Sequence, residues 1–258
     1  MTEAPGTSGA WIRRFHPAPD AATRLVCFPH AGGSATFYFP VSRQLSPDVD
    51  VLAVQYPGRQ DRRTEPCVDS IDELADIVVA ELAPWLDRPV TLFGHSMGAM
   101  LAFEVARRLE RDGVVPLGLF ASGRRGPSTK RDDRVHLADD ERLLLEMRRM
   151  SGTDSRVLGD EELLRMILPA IRSDYRAVET YAFTPGPLLT CPVLTLIGDE
   201  DAQVTVDEAR VWGDHTAGEF TLRIYPGGHF YINEHAPAVM REITSFIAGR
   251  TGADAAVN

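Results

Sequence analysis

The chain of 258 residues is 44% hydrophobic and 25% charged, ordinary proportions for a globular protein long enough to bury a core without disulfide or metal staples. Its net charge of −10 offers no basic face to displace counterions, which sets nucleic-acid binding aside. Cys27, Cys67 and Cys191 are odd in number, far apart and outside any CxxC pair, so neither a disulfide framework nor a zinc site is expected.

The opening stretch MTEAPGTSGA lacks the basic and apolar regions of a secretion signal, and no apolar run reaches membrane-spanning length. A cytoplasmic protein without a membrane partner is the expectation. Short apolar runs then alternate with helical patterns. Arg24–Phe28, Val49–Tyr56, Val90–Gly94, Leu117–Ser122, Val193–Gly198 and Phe220–Tyr225 read as strands, several of them apolar almost throughout, as in a parallel sheet covered on both faces. Helices are expected over Ser70–Leu86, opened by a capping box of Ser70 and Glu73, over Met97–Arg111, and over Glu234–Ala248. The rhythm breaks between Gly123 and Pro187. A charged loop, GRRGPSTKRDDR, is followed there by the helical patterns DDERLLLEMRRM, DEELLRMILPAI and YRAVETYAF. The alternation predicts an α/β fold with a mostly parallel central sheet flanked by helices. Residues 1–122 and 188–258 form its core and 123–187 a helical lid inserted between two core strands. The final TGADAAVN is expected to fray.

Gly94-His95-Ser96-Met97-Gly98 fits G-x-S-x-G, directly after one expected strand and directly before one expected helix. That context is what a nucleophile elbow requires: the glycines let backbone segments crowd together while the serine is held at the carboxyl end of the sheet, in front of a helix N-terminus. The plain alternative is an ordinary strand-to-helix turn. A nucleophilic serine needs a base, and the base an orienting carboxylate. Strand Val193–Gly198 runs into GDEDAQV and strand Phe220–Tyr225 into PGGHFYINEH, so each places a candidate where open α/β sheets build their sites. His229 is the favoured base, with His30 its rival; His16, His136 and His215 read as surface residues. Asp201, further into its loop, is favoured as the acid over Asp199, which is read as loop support. The chain order Ser, Asp, His is that of the α/β-hydrolase fold. Oxyanion donors are expected from the backbone amides of Met97, at the helix start, and of Ala31, in the glycine-rich turn FPHAGGSA.

FPHAGGSA, PGRQDR, FGHSMGA, GDEDA and GGHFYI, in that order, resemble the motifs of type II thioesterases, hydrolases that accompany polyketide and nonribosomal peptide synthases. The resemblance spans Trp11 to Ile247. It implies a triad of Ser96, Asp201 and His229, oxyanion amides at Ala31 and Met97, and no cofactor or metal. It also implies hydrolysis of acyl groups from the phosphopantetheine arm of an acyl- or peptidyl-carrier protein. One departure is Ala202, where the family often has proline after the aspartate. Arg59, Arg62 and Arg63, and then Arg124, Arg125, Lys130, Arg131 and Arg134, are either solvated surface or a docking site for an acidic carrier, for which Arg59, Arg124, Arg125, Lys130 and Arg131 are the candidates. Among the lid's apolar residues, Leu143, Leu144, Met147, Met150, Leu164, Met166, Ile167 and Tyr181 read mainly as core, with some left to line an acyl pocket.

The same elbow also serves carboxylesterases, from which Met97 and PGRQDR separate this chain. Terminal thioesterases share it too, and there the short polar start at Met1 points to an independent protein. A non-catalytic carrier-binding protein on the same fold is a third reading, opposed by the presence of every triad element.

Overall fold

The computed structural model describes residues 9–150 and 161–254. Seven strands form one sheet: β1 Ile12–Arg13, β2 Arg24–Phe28, β3 Asp50–Val54, β4 Val90–His95, β5 Gly118–Ser122, β6 Val193–Gly198 and β7 Phe220–Tyr225, in the order β1-β3-β2-β4-β5-β6-β7. All neighbouring pairs are parallel except β1, which pairs antiparallel with β3 through Ile12 opposite Val54. This edge strand has no counterpart in the sequence pattern because two residues are too few to show a period. The other six strands lie where the apolar runs predict them.

The helices are α1 Phe39–Leu45, α2 Ile71–Leu82, α3 Met97–Arg111, α4 Asp140–Met150, α5 Glu161–Glu179, α6 Val206–Arg210, α7 Tyr231–Glu234 and α8 Ala236–Asp254. Alternate residues of each strand feed opposite faces. Val26, Phe28, Leu52, Val54, Leu92 and Leu119 join the core under α2 and α3, whereas Leu25, Cys27, Val51, Phe93 and Phe120 join the core under α1 and α8. Two apolar faces per strand explain why the runs are continuous rather than alternating. At α2 the Ser70 side chain accepts from the Glu73 amide at 3.3 Å, one half of the expected capping box. The full reciprocal box occurs instead at α6, between Thr205 and Glu208.

Two boundaries depart from expectation. DEELLRMILPAI and YRAVETYAF do not form separate helices: α5 runs through Pro169 to Glu179 because its buried face, Leu168, Ile171, Ala177 and Val178, continues across the proline. The last helix extends to Asp254 rather than fraying at Thr251. The insertion between β5 and β6 holds a small core of its own, built from Leu143, Met147, Leu168 and Ile171. Met166 is 54% exposed, and Tyr181 leaves the insertion to donate to Glu104 of α3 at 2.8 Å. The side chains of Met150 and Leu164 lie outside the described residues.

After β3 the chain crosses to the other side of β2 to lay down β4. A crevice therefore opens at the carboxyl ends of β2 and β4, where doubly wound sheets place their sites.

Candidate active site

The elbow after β4 is strained as its sequence demands. Ser96 sits at φ 55°, ψ −117°, a left-handed conformation that non-glycine residues rarely adopt. Its amide donates to the Ser122 carbonyl on neighbouring β5 at 2.8 Å, which holds the turn against the sheet. The flanking glycines are required by close approach: a Cβ on Gly94 would lie 2.1 Å from the Gly98 carbonyl oxygen, and one on Gly98 would lie 2.1 Å from that of Phe28. Ser96 thus stands at the N-terminus of α3 with helix amides behind it.

The loops after β6 and β7 bring Asp201 to His229, with Nδ1 of the imidazole 2.8 Å from Oδ2 of the carboxylate. A carboxylate only accepts, so Nδ1 carries the proton and Nε2 is left as the basic nitrogen. Both side chains are almost wholly buried, at 4% and 0% exposure, and Asp201 Oδ1 takes the Gln203 amide at 2.8 Å. Asp199 points elsewhere and accepts from the Gly227 amide at 2.9 Å, which ties the two loops together.

The turn after β2 supplies the other half of the crevice. Gly33 donates its amide to the His30 carbonyl at 2.8 Å, closing a four-residue turn in which Gly32 takes φ +75°. The turn is fixed from below: Tyr38 and Tyr56 donate their hydroxyls to the carbonyls of Phe28 and Pro29, and Gln55 accepts the Ala35 amide. Among the described residues neither the Ala31 nor the Met97 amide has an intramolecular acceptor, so both are free to meet an anion in the crevice.

Three imidazoles crowd this site. His95 lies 5.0 Å, ring to ring, from His229, and His30 lies 6.1 Å from His95; Phe230 packs against all three. Burial, reinforced by the charge of His229, pushes the His95 pKa well below the ordinary histidine value. Burial, then His229 and Arg59, push that of His30 down to about 3. Both rings are therefore neutral at physiological pH. His95 shares a buried hydrogen-bonded chain with Ser122 and Tyr231, at 2.8 and 2.6 Å. Among the described residues His30 has no carboxylate partner of the kind Asp201 gives His229. His215, expected at the surface, is buried and bonded to Ser128, and His136 is half-buried against Glu179.

The arginines differ most from expectation. Arg59 does not face solvent: its guanidinium is buried in a bidentate pair with Asp174 of α5, at 2.7 and 2.8 Å. Arg125 is likewise buried and pairs with Asp133, and Arg131 pairs with Glu208. Arg124 is half-buried, and desolvation lowers its pKa to about 9. Lys130 is exposed. The motif PGRQDR is thus an internal anchor, with Arg62 also buried over Trp11 and donating to the Gln55 carbonyl. In the loop at residues 123–126 the Gly126 amide donates to the Glu208 carbonyl at 2.9 Å. Asp174 escaped the sequence reading altogether. Among the described residues no cluster of histidine, cysteine or carboxylate side chains is arranged to hold a metal ion, and no helix is long and apolar enough to cross a membrane.

The sheet order, the elbow on its central strand and the Ser–Asp–His order define an α/β-hydrolase. Within that class the chain belongs to the thioesterase family, whose thioesterase-domain model matches residues 23–247, and it is a thioester hydrolase. It is 54% identical to the thioesterase PikA5 of Streptomyces venezuelae over 98% of this chain and 92% of that protein. It is 53% identical to a probable cadicidin biosynthesis thioesterase of Streptomyces griseus, over 99% of this chain and 71% of that one. The type II thioesterase BorB from the borrelidin biosynthetic cluster superposes with a TM-score of 0.89 at 53% identity, over 93% of this chain and 99% of BorB. The chain groups with type II thioesterases, as its motifs imply.

Proposed function

We propose that this enzyme clears acyl groups from the phosphopantetheine arm of acyl- or peptidyl-carrier proteins, an editing role beside a polyketide or nonribosomal peptide synthase. The observation that carries the reading is a strained Ser96 on the elbow after β4, on the sheet that also delivers a His229 whose tautomer Asp201 sets. His229 Nε2 takes the Ser96 proton as Oγ attacks the thioester carbonyl. The amides of Ala31 and Met97 receive the oxyanion, a stabilisation of about 3 kcal/mol for each donor. The intermediate collapses, the C–S bond breaks, and the pantetheine sulfur takes the proton from His229. Water then attacks the acyl-serine with His229 again as base, releasing the acid and restoring Ser96. No step requires a metal or organic cofactor.

The carrier-docking surface narrows to the exposed Lys130, with Arg131 and Arg124 at its margin, because Arg59 and Arg125 are committed to internal pairs. Reversing Lys130 to glutamate is expected to raise KM for an acyl-carrier substrate and leave KM for an acyl-pantetheine unchanged.

The test of the whole reading is hydrolysis of acetyl-, propionyl-, hexanoyl- and decanoyl-pantetheine by the wild type and by Ser96→Ala. Loss of turnover by about 10⁵-fold or more in Ser96→Ala is expected, as for other serine hydrolases stripped of the nucleophile. A preference for short chains supports editing, and a preference for decanoyl points to release of finished chains. Turnover that survives the substitution overturns Ser96 as nucleophile.

A further inference from the structure

Asp174 and Arg59 come from opposite sides of the crevice. Asp174 lies in the helical insertion, 115 residues from Arg59 and 142 from Gly32, yet all three meet. Oδ2 of Asp174 accepts from the Gly32 amide at 2.7 Å and from Arg59 Nη1 at 2.7 Å, while Oδ1 accepts from Arg59 Nη2 at 2.8 Å. Arg59 Nη1 also donates to the Gly33 carbonyl at 3.0 Å, and Nε donates to the Pro57 carbonyl at 3.2 Å. Every nitrogen of the guanidinium is thereby engaged, and the pair is only 8% and 2% exposed.

What the pair holds is the turn between His30 and Gly33. A buried ion pair is weak evidence for stability, since desolvation offsets most of its attraction, and it is better explained by what its geometry specifies. Here it fixes two peptides of the turn, Ala31–Gly32 and Gly33–Ser34. The Gly32 amide is bound by the carboxylate and the Gly33 carbonyl by the guanidinium, on either side of the positive-φ Gly32. With both pinned, the Ala31 amide beside them has no acceptor among the described residues, as is also true of His30 at the start of the turn. α5 also seals the turn sterically: a Cβ on Gly32 would lie 2.9 Å from Ile171, one turn of helix before Asp174.

We infer that the Arg59–Asp174 pair is a positioning device that locks the Ala31 amide into the oxyanion site and makes the Asp174 turn of α5 part of the catalytic frame. The inference rests on Ser96 as nucleophile and Ala31 as an oxyanion donor. It has a mechanical corollary. Lifting α5 at Asp174 would strand a buried guanidinium and the Gly32 amide together, so any opening of the insertion leaves the Asp174 turn of α5 in place.

The experiment uses the full-length enzyme with propionyl-pantetheine and a trifluoromethyl ketone analogue, which adds Ser96 Oγ to its carbonyl and places the resulting oxyanion where the donors converge. Asp174→Asn keeps shape but loses charge; Arg59→Lys keeps charge but cannot bind both carboxylate oxygens. Active sites are counted with a fluorophosphonate, and unfolding is followed by heat. Per active site, kcat is expected to fall by about 10- to 100-fold, less than deletion of a donor would give. KM should stay within about threefold, and affinity for the ketone should fall in parallel with kcat, because the defect belongs to the transition state. The pH profile of kcat should keep its shape, since His229 is untouched. Damage that merely loosens the fold would lower the count of active sites without weakening the ketone relative to substrate. Unchanged kcat and ketone affinity in a folded variant, or a rise in KM alone, overturns the inference. If Asp174→Asn does not fold, Arg59→Lys decides. Ser96→Ala assayed beside them keeps the two readings apart. Turnover surviving there removes the serine mechanism, whereas turnover lost there but intact in Asp174→Asn removes only the clamp.

Discussion

Two buried carboxylates flank this crevice, and they do opposite kinds of work. Asp201 lies in the loop after β6 and holds one imidazole at 2.8 Å; Asp174 lies in the middle of α5 and holds one guanidinium at 2.7 and 2.8 Å. Their side chains are equally hidden, at 0% and 2% exposure. In the proposed mechanism Asp201 orients a group that must gain and lose a proton in every turnover, so its partner is a histidine. Asp174 orients backbone that must not move, so its partner is an arginine, which stays charged and offers a rigid fork. On that reading one carboxylate serves the proposed base and the other the proposed oxyanion turn. Burial alone does not distinguish the two; the partner's chemistry does.

The comparison is broken most severely at Asp201. Replacement by asparagine keeps the volume but offers an N–H to His229 Nδ1, which moves the imidazole proton to Nε2 and removes the base. A fall in kcat of about 10⁴-fold near neutral pH is expected, with the unfolding midpoint little changed. Steady-state kinetics and thermal denaturation check both halves, and retained activity would mean that His229 is oriented by something else. The Asp174 side should respond in stability first. Asp174→Leu strands a buried arginine and should cost about 3–5 kcal/mol in urea unfolding. The double variant Arg59→Met/Asp174→Leu should recover most of that loss, leaving mainly the orphaned Gly32 amide at about 1–3 kcal/mol. A double variant no more stable than the single one would show that the pair contributes net stability beyond satisfying itself.

These two carboxylates were also unequally legible in the sequence. Asp201 follows a strand and precedes a turn, so its place at the carboxyl end of the sheet could be read from local pattern, as could Ser96 between its glycines and His229 after its own. The six longer strands announced themselves because apolar runs buried on both faces have no polar interruptions. Asp174 announced nothing. A charged residue in an amphipathic helix normally faces water, and only the tertiary crossing of α5 over the turn at Gly32 turns it inward. Arg59 was misread for the same reason: a cation after a strand end lies on the active-site face, but its exposure depends on a partner far away in sequence. His215 was misplaced likewise, being covered by Phe103 and Phe183 from separate segments. Local chemistry therefore revealed the groups proposed to react, and long-range packing determined which groups hold them.

His30 lies between the two pairs and sharpens the comparison through pH. Its ring packs on Phe37 and Phe230 at 4.9 Å each, and burial, then the charges of His229 and Arg59, hold its pKa near 3 against 6.5 when unfolded. Between those values the unfolded chain binds a proton that the native state refuses. The stability due to the neutral ring is therefore complete above about pH 6.5 and is lost as pH falls toward 3, by up to about 1.4 kcal/mol per pH unit. His30→Gln should flatten the acid limb of stability against pH by up to that slope, while His95, shifted in the same direction, keeps its own share. Urea unfolding at half-unit intervals from pH 7 to pH 4 measures it. Parallel curves for variant and wild type would place the proton elsewhere.

The smallest effect separates two aspartates that stand side by side. Asp199 and Asp201 both follow β6, but Asp199 is exposed and, among the described residues, accepts only from the Gly227 amide, at 2.9 Å. Water can replace an exposed acceptor, so Asp199→Ala should lower stability by about 1 kcal/mol or less. Gly227 is two residues before His229, and the loosened loop should cost kcat no more than about threefold, equivalent to roughly 0.6 kcal/mol in the barrier. The sign of the change matters less than its size relative to Asp201→Asn. A loss of hundreds-fold at Asp199 would mean that the β6–β7 loop contact, and not the carboxylate on His229, sets the geometry of the base. Activity near wild type would leave that task to Asp201, because the two substitutions remove the same chemical group from the same loop and differ in the atom it reaches.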